Sequence, residues 1–583
     1  MRISKRPKRI VAAAITAMFL SHQTLMMSVV ASEITGVTGN NGVYNIDPSA
    51  LINGTDIGYR KYKDFTLDQG DIANLIYKYG DTDINTFVNL VDNQVNINGL
   101  VNTMRNGSFH NGKAIFISPN GMIVGASGVL NVGSLGVYTP THTKYEEYKA
   151  NPTANLNSIT QVDNNNAAKV ITINGKVIAA NDVDLRGGMV TVGNTGSVIA
   201  GVNESKMAAL TSHNQAETLF NQLVNTDNLN SANSFASDNG NIYIKSGQIA
   251  ENTGINIEGN LKNFGTGNIQ LINTGAEGIN VSGTIANADG IVKLNSNWGG
   301  IDVSGDILNN GTTQIFNLGR EGKVSFNADG QTYTYTVTPE NGVNISGNVN
   351  TTGTTTITNT GTEGIIISGT VANTGDLSIQ NGVAGNTENG NARNAQMDAL
   401  TITGNVNSQG NADIVNYAAG GLNIDGEVTN NNANVDLTGE TTITNHAGIL
   451  KVDGLVDTNE AELTMTNNGE NFEINGTIIG TNNNVNLINN NGGIDLNSTG
   501  KVNSTNNVNI TNIGTGGVNV KGLVNAGQNV NIDNKNSNVV IGDNTENDNY
   551  VTAGNDINIV VVDGSILNYG VEKTLLNATG NLN

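Results

Sequence analysis

The chain has 583 residues and a formal net charge of −22, with 72 Gly, 6 Pro, no Cys, 4% aromatic residues and 13% charged residues. The absence of Cys excludes disulfides and thiolate metal sites, and the acidic balance argues against a surface that binds nucleic acid. The length, and the recurrence of Val, Ile and Leu at alternate positions, favour a folded repetitive solenoid over a disordered chain or one compact core.

Residues 1–31 are predicted to form a signal peptide that is cleaved near Ala31. Five basic residues precede an apolar stretch from Ile10 to Leu20, and Val29 and Ala31 offer the small side chains that a signal peptidase requires. A transmembrane anchor is the alternative, but this stretch is well short of the ~20 apolar residues that span a bilayer. We therefore expect export, and cleavage would leave a mature chain with a charge near −27.

Residues 32–250 are predicted to form an amino-terminal domain, within which residues 43–140 have a denser apolar content than the repeats that follow. The stretch from Gly112 to Pro140 has the sequence GKAIFISPNGMIVGASGVLNVGSLGVYTP. Within it, Ser118-Pro119-Asn120-Gly121 predicts a tight turn, because Pro fixes one φ angle and Asn and Gly tolerate positive φ.

This stretch resembles the secretion domain of two-partner-secreted filamentous haemagglutinins and adhesins of the TpsA type. Their signature, N-P-N-G followed by Ile or Val, stands here with Ser118 for the first Asn and with Met122 at the end. The following G-x-x-A/G-x-I/V/L-D/N-V-G-x-L pattern stands from Gly125 to Leu135. The resemblance implies a partner transporter in the outer membrane, with membrane contact only during export. It implies that the secretion motif comprises Asn89, Asn98, Gly99, Ser118, Pro119, Asn120, Gly121, Gly125, Asn131 and Gly133.

Two polar stretches, residues 139–168 and 202–236, interrupt the apolar alternation of this domain. The second contains a predicted short helix around Met207 to Leu223. We expect both stretches to project from the solenoid, where specific contacts are commonly made.

From residue 251 to 583 one short phrase recurs, in which apolar and polar residues alternate before a Gly. Clear copies end at Gly259, Gly283, Gly305, Gly347, Gly369, Gly426, Gly454, Gly476 and Gly522. The commonest step is 22 residues, and the 42-residue step from Gly305 to Gly347 is close to two turns. These repeats resemble Asn-rich, leukotoxin-like filamentous adhesins in style.

A period in the low twenties with strand-like phrases predicts an all-β fold, a right-handed parallel β-helix with coils of about 22 residues. About 20–23 coils, each rising ~4.8 Å, would give a rod of about 100 Å. Asn side chains at equivalent corners should form hydrogen-bonded ladders between coils. Two further excursions are predicted: a hairpin from Lys323 to Val337 that turns at Asp329-Gly330, and a loop over residues 384–397.

The sequence offers little evidence for chemistry, so we expect no catalytic residues, no metal site and no cofactor. The five histidines are far apart, and none has the spacing of a metal-binding helix pair. Two carboxylate clusters stand out, Asp182 with Asp184, which have only Arg186 nearby, and the pair Glu146-Glu147. Trp298, the single Trp, is either coil-surface packing or a platform for a ligand.

The leading interpretation is a secreted or surface-exposed filamentous adhesin of a double-membraned bacterium, not an enzyme, whose receptor is unknown. A second is the stalk of a contact-dependent toxin whose catalytic end is missing, and the mass of the secreted product separates these two. A third is a β-helix enzyme that degrades polysaccharides, which sugar release from pectin-like polymers would test.

Overall fold

The alternation of apolar and polar residues becomes short strands whose side chains point in turn into and out of a rod. The computed structural model describes residues 32–52, 54–153, 169–224, 240–247, 253–320, 322–328, 331–337, 342–384, 394–431, 440–542, 550–569 and 575–583. For residue 320 and for residues 322–328 and 331–337 it describes the backbone alone. The fold is the expected right-handed parallel β-helix, in which each coil contributes one strand to each of three long sheets.

Sheet 1 holds the phrases that end in Gly. Its strands are Glu33–Ile34, Phe65–Leu67, Val95–Ile97, Met122–Val124, Val170–Ile173, Met189–Val192, Gly254–Ile257, Ile279–Val281, Ile301–Val303, Val343–Ile345, Ile365–Ile367, Leu400–Ile402, Leu422–Ile424, Leu450–Val452, Phe472–Ile474, Gly493–Leu496, Gly517–Val520, Val539–Ile541 and Ile566–Asn568. The first of these strands runs antiparallel to the second, so it covers one end of the sheet.

Sheet 2 follows sheet 1 in each coil. Its strands are Val43–Ile46, Ile72–Ile76, Leu100–Arg105, Ser108–Phe109, Val129–Val132, Lys176–Ala179, Ser197–Ala200, Asn260–Asn263, Thr284–Asn287, Asp306–Asn309, Asn348–Thr351, Thr370–Asn373, Asn405–Ser408, Glu427–Asn431, Leu455–Asn459, Thr477–Thr481, Lys501–Ser504, Leu523–Ala526, Val551–Ala553 and Leu576–Ala578. The strand Ser108–Phe109 is a short antiparallel addition to its predecessor.

Sheet 3 completes the coil. Its strands are Ala50–Leu51, Ile57–Tyr62, Thr86–Val91, Lys113–Ile117, Ser134–Tyr138, Val183–Gly187, Ile242–Ser246, Ile269–Asn273, Ile291–Trp298, Thr312–Arg320, Thr355–Asn359, Leu377–Asn381, Ala412–Asn416, Glu440–Asn445, Glu462–Asn467, Val485–Asn489, Val508–Asn512, Val530–Asn536 and Ile557–Asp563. Its first strand is antiparallel to the second, as in sheet 1.

Within the described ranges, two antiparallel hairpins and three helical segments are added to the coils. The hairpins pair Lys78–Tyr79 with Thr82–Asp83, and Gly322–Ala328 with Gln331–Val337. The helices are α1, His142–Ala150, α2, His213–Val224, and a 3₁₀ turn at Glu204–Lys206. The predicted hairpin and the second half of the predicted helix are therefore confirmed. The hairpin turn at residues 329–330 and most of the loop predicted over residues 384–397 lie outside the described residues.

The coil count corrects two expectations. Ile301 pairs directly with Val343, so the 42-residue step is one coil that contains the second hairpin and not two turns. In the part of the chain that the structure describes, sheet 1 has 18 strands besides its antiparallel first one, which gives 18 coils and not 20–23. At ~4.8 Å per coil the rod is about 80 Å long, shorter than the length predicted from the sequence.

The core is a continuous column of inward Val, Ile and Leu side chains, and the sheets run across the predicted domain boundary near residue 250. Met189–Val192 pairs with Gly254–Ile257 in the next coil, so both parts belong to one rod.

A ladder of buried Asn residues lines one corner of the rod, as predicted. The side-chain nitrogen of each Asn donates a hydrogen bond to the side-chain oxygen of the equivalent Asn in the next coil, at 2.8–3.0 Å. Its members are Asn317, Asn359, Asn381, Asn416, Asn445, Asn467, Asn489, Asn512 and Asn534.

The described parts of the two polar stretches pack on the rod instead of projecting from it. Tyr145 and Tyr148 of α1 cover an apolar patch on the outer face of sheet 3. Leu219 and Leu223 of α2 cover a second patch on the outer face of sheet 2. For these described parts the expectation of projection was wrong, because strands in these coils carry apolar residues on both faces and the outer apolar residues also need to be covered. Residues 154–168 and 225–236 of the two stretches lie outside the described residues.

Candidate functional site

The turn Ser118–Gly121 joins sheet 3 to sheet 1 in one of the first coils. The Gly121 backbone N–H donates to the Ser118 carbonyl at 3.4 Å, and Gly121 has φ +87°. A Cβ atom at Gly121 would lie 2.4 Å from the Val170 carbonyl oxygen of the next coil. Since Ser118 and Pro119 are also buried, the turn is a closely packed corner, as the sequence predicts.

This turn is bound to the corner of the preceding coil by side chains. The Ser118 hydroxyl donates to the Asn93 carbonyl at 2.8 Å, and the Asn120 amide donates to the Asp92 carbonyl at 2.7 Å. The Asn93 amide in turn donates to the Asp64 carboxylate at 2.6 Å, one coil earlier. The corners of three successive coils are therefore connected by hydrogen bonds.

Helix α1 is held at the same corner by Asp92. Its carboxylate accepts a hydrogen bond of 2.9 Å from the Tyr145 hydroxyl and lies 2.5 Å from the Lys149 ammonium group. Burial, and then the hydrogen bond to Asp92, raises the pKa of Tyr145, so the phenol stays a donor. The sequence reasoning missed Asp92, Tyr145 and Lys149, although Asp92-Asn93 follows a strand at the position equivalent to the predicted turn.

Asn98, Gly99 and Gly125 lie at the next corner, between sheets 1 and 2. A Cβ atom at Gly125 would lie 1.9 Å from the Asn98 amide oxygen, and one at Gly99 would lie 2.4 Å from the Asp71 carbonyl oxygen. The Gly125 backbone N–H donates to the Ile97 carbonyl at 2.9 Å. These glycines are required by the close approach of successive coils.

The remaining predicted residues lie elsewhere on the coil. Asn131 is buried on the outer face of sheet 2, where its amide donates at 2.9 Å both to the Asn102 side chain and to the Ala208 carbonyl. A Cβ atom at Gly133, at the corner between sheets 2 and 3, would lie 2.4 Å from the backbone of Asn111.

Asn89 points into the rod. Its amide oxygen accepts a 2.9 Å hydrogen bond from the Tyr62 hydroxyl, and its amide nitrogen donates to the Ile115 carbonyl at 3.2 Å. Burial raises the pKa of Tyr62, so this phenol also remains protonated. Asn89 is an interior structural residue.

The structure thus brings Ser118, Pro119, Asn120 and Gly121 together but distributes the other predicted residues over the other corners and the interior. Asn98, Asn120 and Gly125 are partly exposed, whereas the others are buried. A protein that contacts this region would touch the turn together with Asp92 and α1, and not the whole predicted set.

The charge clusters singled out in the sequence have structural partners. The Asp184 carboxylate accepts hydrogen bonds from Arg186 at 2.8 Å and from the Tyr138 hydroxyl at 3.0 Å. The Asp182 carboxylate accepts two hydrogen bonds of 2.9 Å from Asn241. Within the described part of the chain, no three His, Asp or Glu residues are grouped so that they could hold a metal ion.

Comparison with known proteins adds no assignment. No model of a known protein family matches the chain, and no curated protein is significantly similar to it in sequence. Among the described residues, no helix is long and apolar enough to cross a membrane.

Proposed function

We propose that the protein is a filamentous adhesin, exported through an outer-membrane transporter of the two-partner type and presented at or released from the cell surface. In this proposal residues 1–31 are a signal peptide cleaved near Ala31, and the first coils are the part that the transporter recognises. The remaining coils form the stiff rod that contacts other cells.

The observation that carries this proposal is the distinct construction of the first coils. Antiparallel strands cover their free end, helices cover two outer faces, and the turn Ser118–Gly121 is connected to Asp92 and α1. Such a closed unit can fold first at the emerging end of the chain, and each later coil can then add to the edge of the one before it.

The export step is tested by expressing the full chain in a double-membraned bacterium with and without a co-expressed two-partner transporter. We expect mature protein in the medium or on the cell surface only with the transporter, and mature protein trapped in the periplasm without it. Equal amounts outside the cell in both strains would overturn the export proposal.

The adhesive step is tested separately with beads coated with the purified mature chain. We expect these beads to bind to epithelial cells or to other bacteria more strongly than beads coated with albumin. Equal binding of the two kinds of beads would overturn the adhesive role and leave the export result intact.

A further inference from the structure

A long trough follows the rod axis on the outer face of sheet 2. It has a volume of about 650 Å³, within the range of ligand sites in proteins. Its lining residues come from eight successive strands, from Ser197–Ala200 to Glu427–Asn431, so it extends for about 34 Å at ~4.8 Å per coil. Val224, at the end of α2, lines one end, and Asn431 lines the other.

The floor of the trough is formed by the third positions of the sheet 2 strands, which face outward. In coil order these positions hold Lys262, Ala286, Leu308, Asn350, Ala372 and Asn407, so from Leu308 onward an aliphatic side chain and an amide alternate. Leu308 is 36% exposed, a large value for an aliphatic residue in a strand whose neighbours pack inward. The floor therefore offers apolar contact without a deep pocket.

Uncharged polar groups lie on the floor and along the sides of the trough. Asn350 and Gln409 are exposed, and their side-chain amides make no hydrogen bond to the described residues. Thr352 and Thr374 form a row in which each hydroxyl donates to a carbonyl of the preceding coil, which leaves the hydroxyl oxygen as an acceptor. These groups offer donors and acceptors in three successive coils, those of Asn350, Thr374 and Gln409.

Among the described lining residues, Lys262 is the one charged group, and it is already engaged. Its ammonium group donates to the Leu223 carbonyl at 3.1 Å and lies 4.8 Å from the centre of the Phe264 ring. Asp306 and Glu427 begin two of the strands that line the trough, in a chain with a net charge of −22. An anionic ligand would be repelled here, and a neutral one would not.

The spacing of these groups selects the kind of neutral ligand. Equivalent positions repeat every ~4.8 Å along the trough, whereas side chains on one face of an extended peptide repeat every ~6.6–6.8 Å. An extended peptide would lose register with the coils within two or three residues. Sugar rings in an extended β-1,4-linked chain advance by nearly the coil interval, and each ring is turned over relative to the one before it. A pair of rings therefore advances by nearly a pair of coils and can meet one aliphatic and one amide side chain of the floor between Leu308 and Asn407.

We propose that the trough binds a neutral, unbranched β-1,4-linked polysaccharide. The apolar faces of the sugar rings would lie on Leu308, Ala286 and Ala372. The hydroxyl groups of the sugar would form hydrogen bonds with the amide and hydroxyl side chains of the trough. This inference deepens the proposed adhesive function, on which it rests for its biological role, by naming a class of receptor. Binding itself can be measured on purified protein, so a failure of export would leave this test unaffected.

The test is isothermal titration of the purified mature chain with cellohexaose, xylohexaose and the hexamer of N-acetylglucosamine. We expect at least one hexamer to bind with a Kd below about 1 mM, and its dimer to bind at least about tenfold more weakly because it spans fewer coils. Hexagalacturonate and a neutral peptide of Ser, Thr, Asn and Gly serve as anionic and peptide controls. Binding of none of the three neutral hexamers, or equal binding of either control, would overturn the proposal.

Matched variants locate the binding. Ala372→Arg places a long side chain on the floor of the trough and should weaken binding at least about tenfold. Asn503→Arg introduces the same side chain at the third position of a sheet 2 strand outside the trough and should leave binding unchanged. If Ala372→Arg does not fold, the double variant Asn350→Ala with Gln409→Ala should weaken binding several-fold. Undiminished binding by a folded trough variant, or equal loss in Asn503→Arg, would overturn the assignment.

Discussion

Val281 lies fully buried in sheet 1, between Ile257 of the preceding coil and Val303 of the next. Val281→Asp would place a carboxylate in this apolar column without a partner, which costs several kcal/mol. We expect a large drop in thermal stability, measured by circular dichroism. The neighbouring Asn280 is exposed, so Asn280→Asp should change stability little, and equal melting temperatures for the two variants would contradict this register.

Period-two alternation fixes which residues of a strand share a face, and this is why the apolar positions of the repeated phrases can be expected inside the rod. Predicting which Asn residues are buried was harder. Asn416 and Asn423 lie in neighbouring strands of similar composition, yet Asn416 is fully buried in the ladder whereas Asn423 is on the outer face. The two residues differ in their position relative to the end of the strand, and this position decides whether the Asn side chain is buried. Strand ends are poorly determined by sequence, so the buried Asn could not be chosen in advance.

At the scale of elements, α1 depends on one carboxylate. Asp92→Ala removes the acceptor of the Tyr145 hydroxyl and the partner of Lys149, while the rod beneath keeps its backbone hydrogen bonds. We expect amide hydrogen exchange in α1 to become about tenfold faster, because a hydrogen bond to a charged group contributes ~1.5–3 kcal/mol.

Global unfolding of the Asp92→Ala protein should change little, because α1 lies outside the sheets. Glu146→Ala is the matched control, since Glu146 is half-exposed and lies 3.8 Å from the Lys149 ammonium group. Unchanged exchange in Asp92→Ala, or equally fast exchange in Glu146→Ala, would show that Asp92 does not hold the helix.

The composition of two early strands indicates that their outer faces are covered by another part of the chain. Thr86–Val91 and Val129–Val132 have almost uninterrupted apolar runs, unlike the alternating strands of the later repeats. A strand of this kind is buried on both faces, so some other part of the chain must cover it. The sequence did not indicate which segment covers these strands. Asp92 and Tyr145 are 53 residues apart in the sequence, and only the folding of the chain into coils brings them into contact.

At the scale of the whole molecule, the repeat period predicted the architecture but not the number of coils. A solenoid tolerates an insertion at any corner, and the hairpin between Ile301 and Val343 therefore changes the spacing without breaking the ladder. The candidate turn could be predicted because Pro, Asn and Gly determine local geometry. Its attachment to Asp92 could not, since it depends on how successive coils align.

The rod itself can be measured in solution. With 18 coils, small-angle scattering of the mature protein should give an asymmetric distance distribution with a maximum of about 80–90 Å. A globule of the same mass would give a symmetric distribution and a smaller maximum. A symmetric profile would contradict the continuous ladder.

Export concerns the whole molecule but should depend on one corner of it. Pro119→Ala combined with Asn120→Ala removes the fixed φ angle and the 2.7 Å hydrogen bond to Asp92, so the turn Ser118–Gly121 gains conformational freedom. If the transporter docks on this turn, ordering it again costs about 1 kcal/mol or more per freed residue, and affinity falls several-fold. We expect less mature protein outside cells that carry the transporter, with synthesis and signal cleavage unchanged.

Asn506→Ala is the matched control for the export variant. The Asn506 amide also donates to a carbonyl of the preceding coil, that of Asn482 at 3.1 Å, but it lies far along the rod. Loss of this hydrogen bond should reduce local stability about as much as loss of the Asn120 hydrogen bond. Secretion should stay intact, because the transporter would already have engaged the first coils. Equal secretion of both variants, measured by immunoblot of medium and periplasm, would mean that Ser118–Gly121 is a structural corner that the transporter does not recognise.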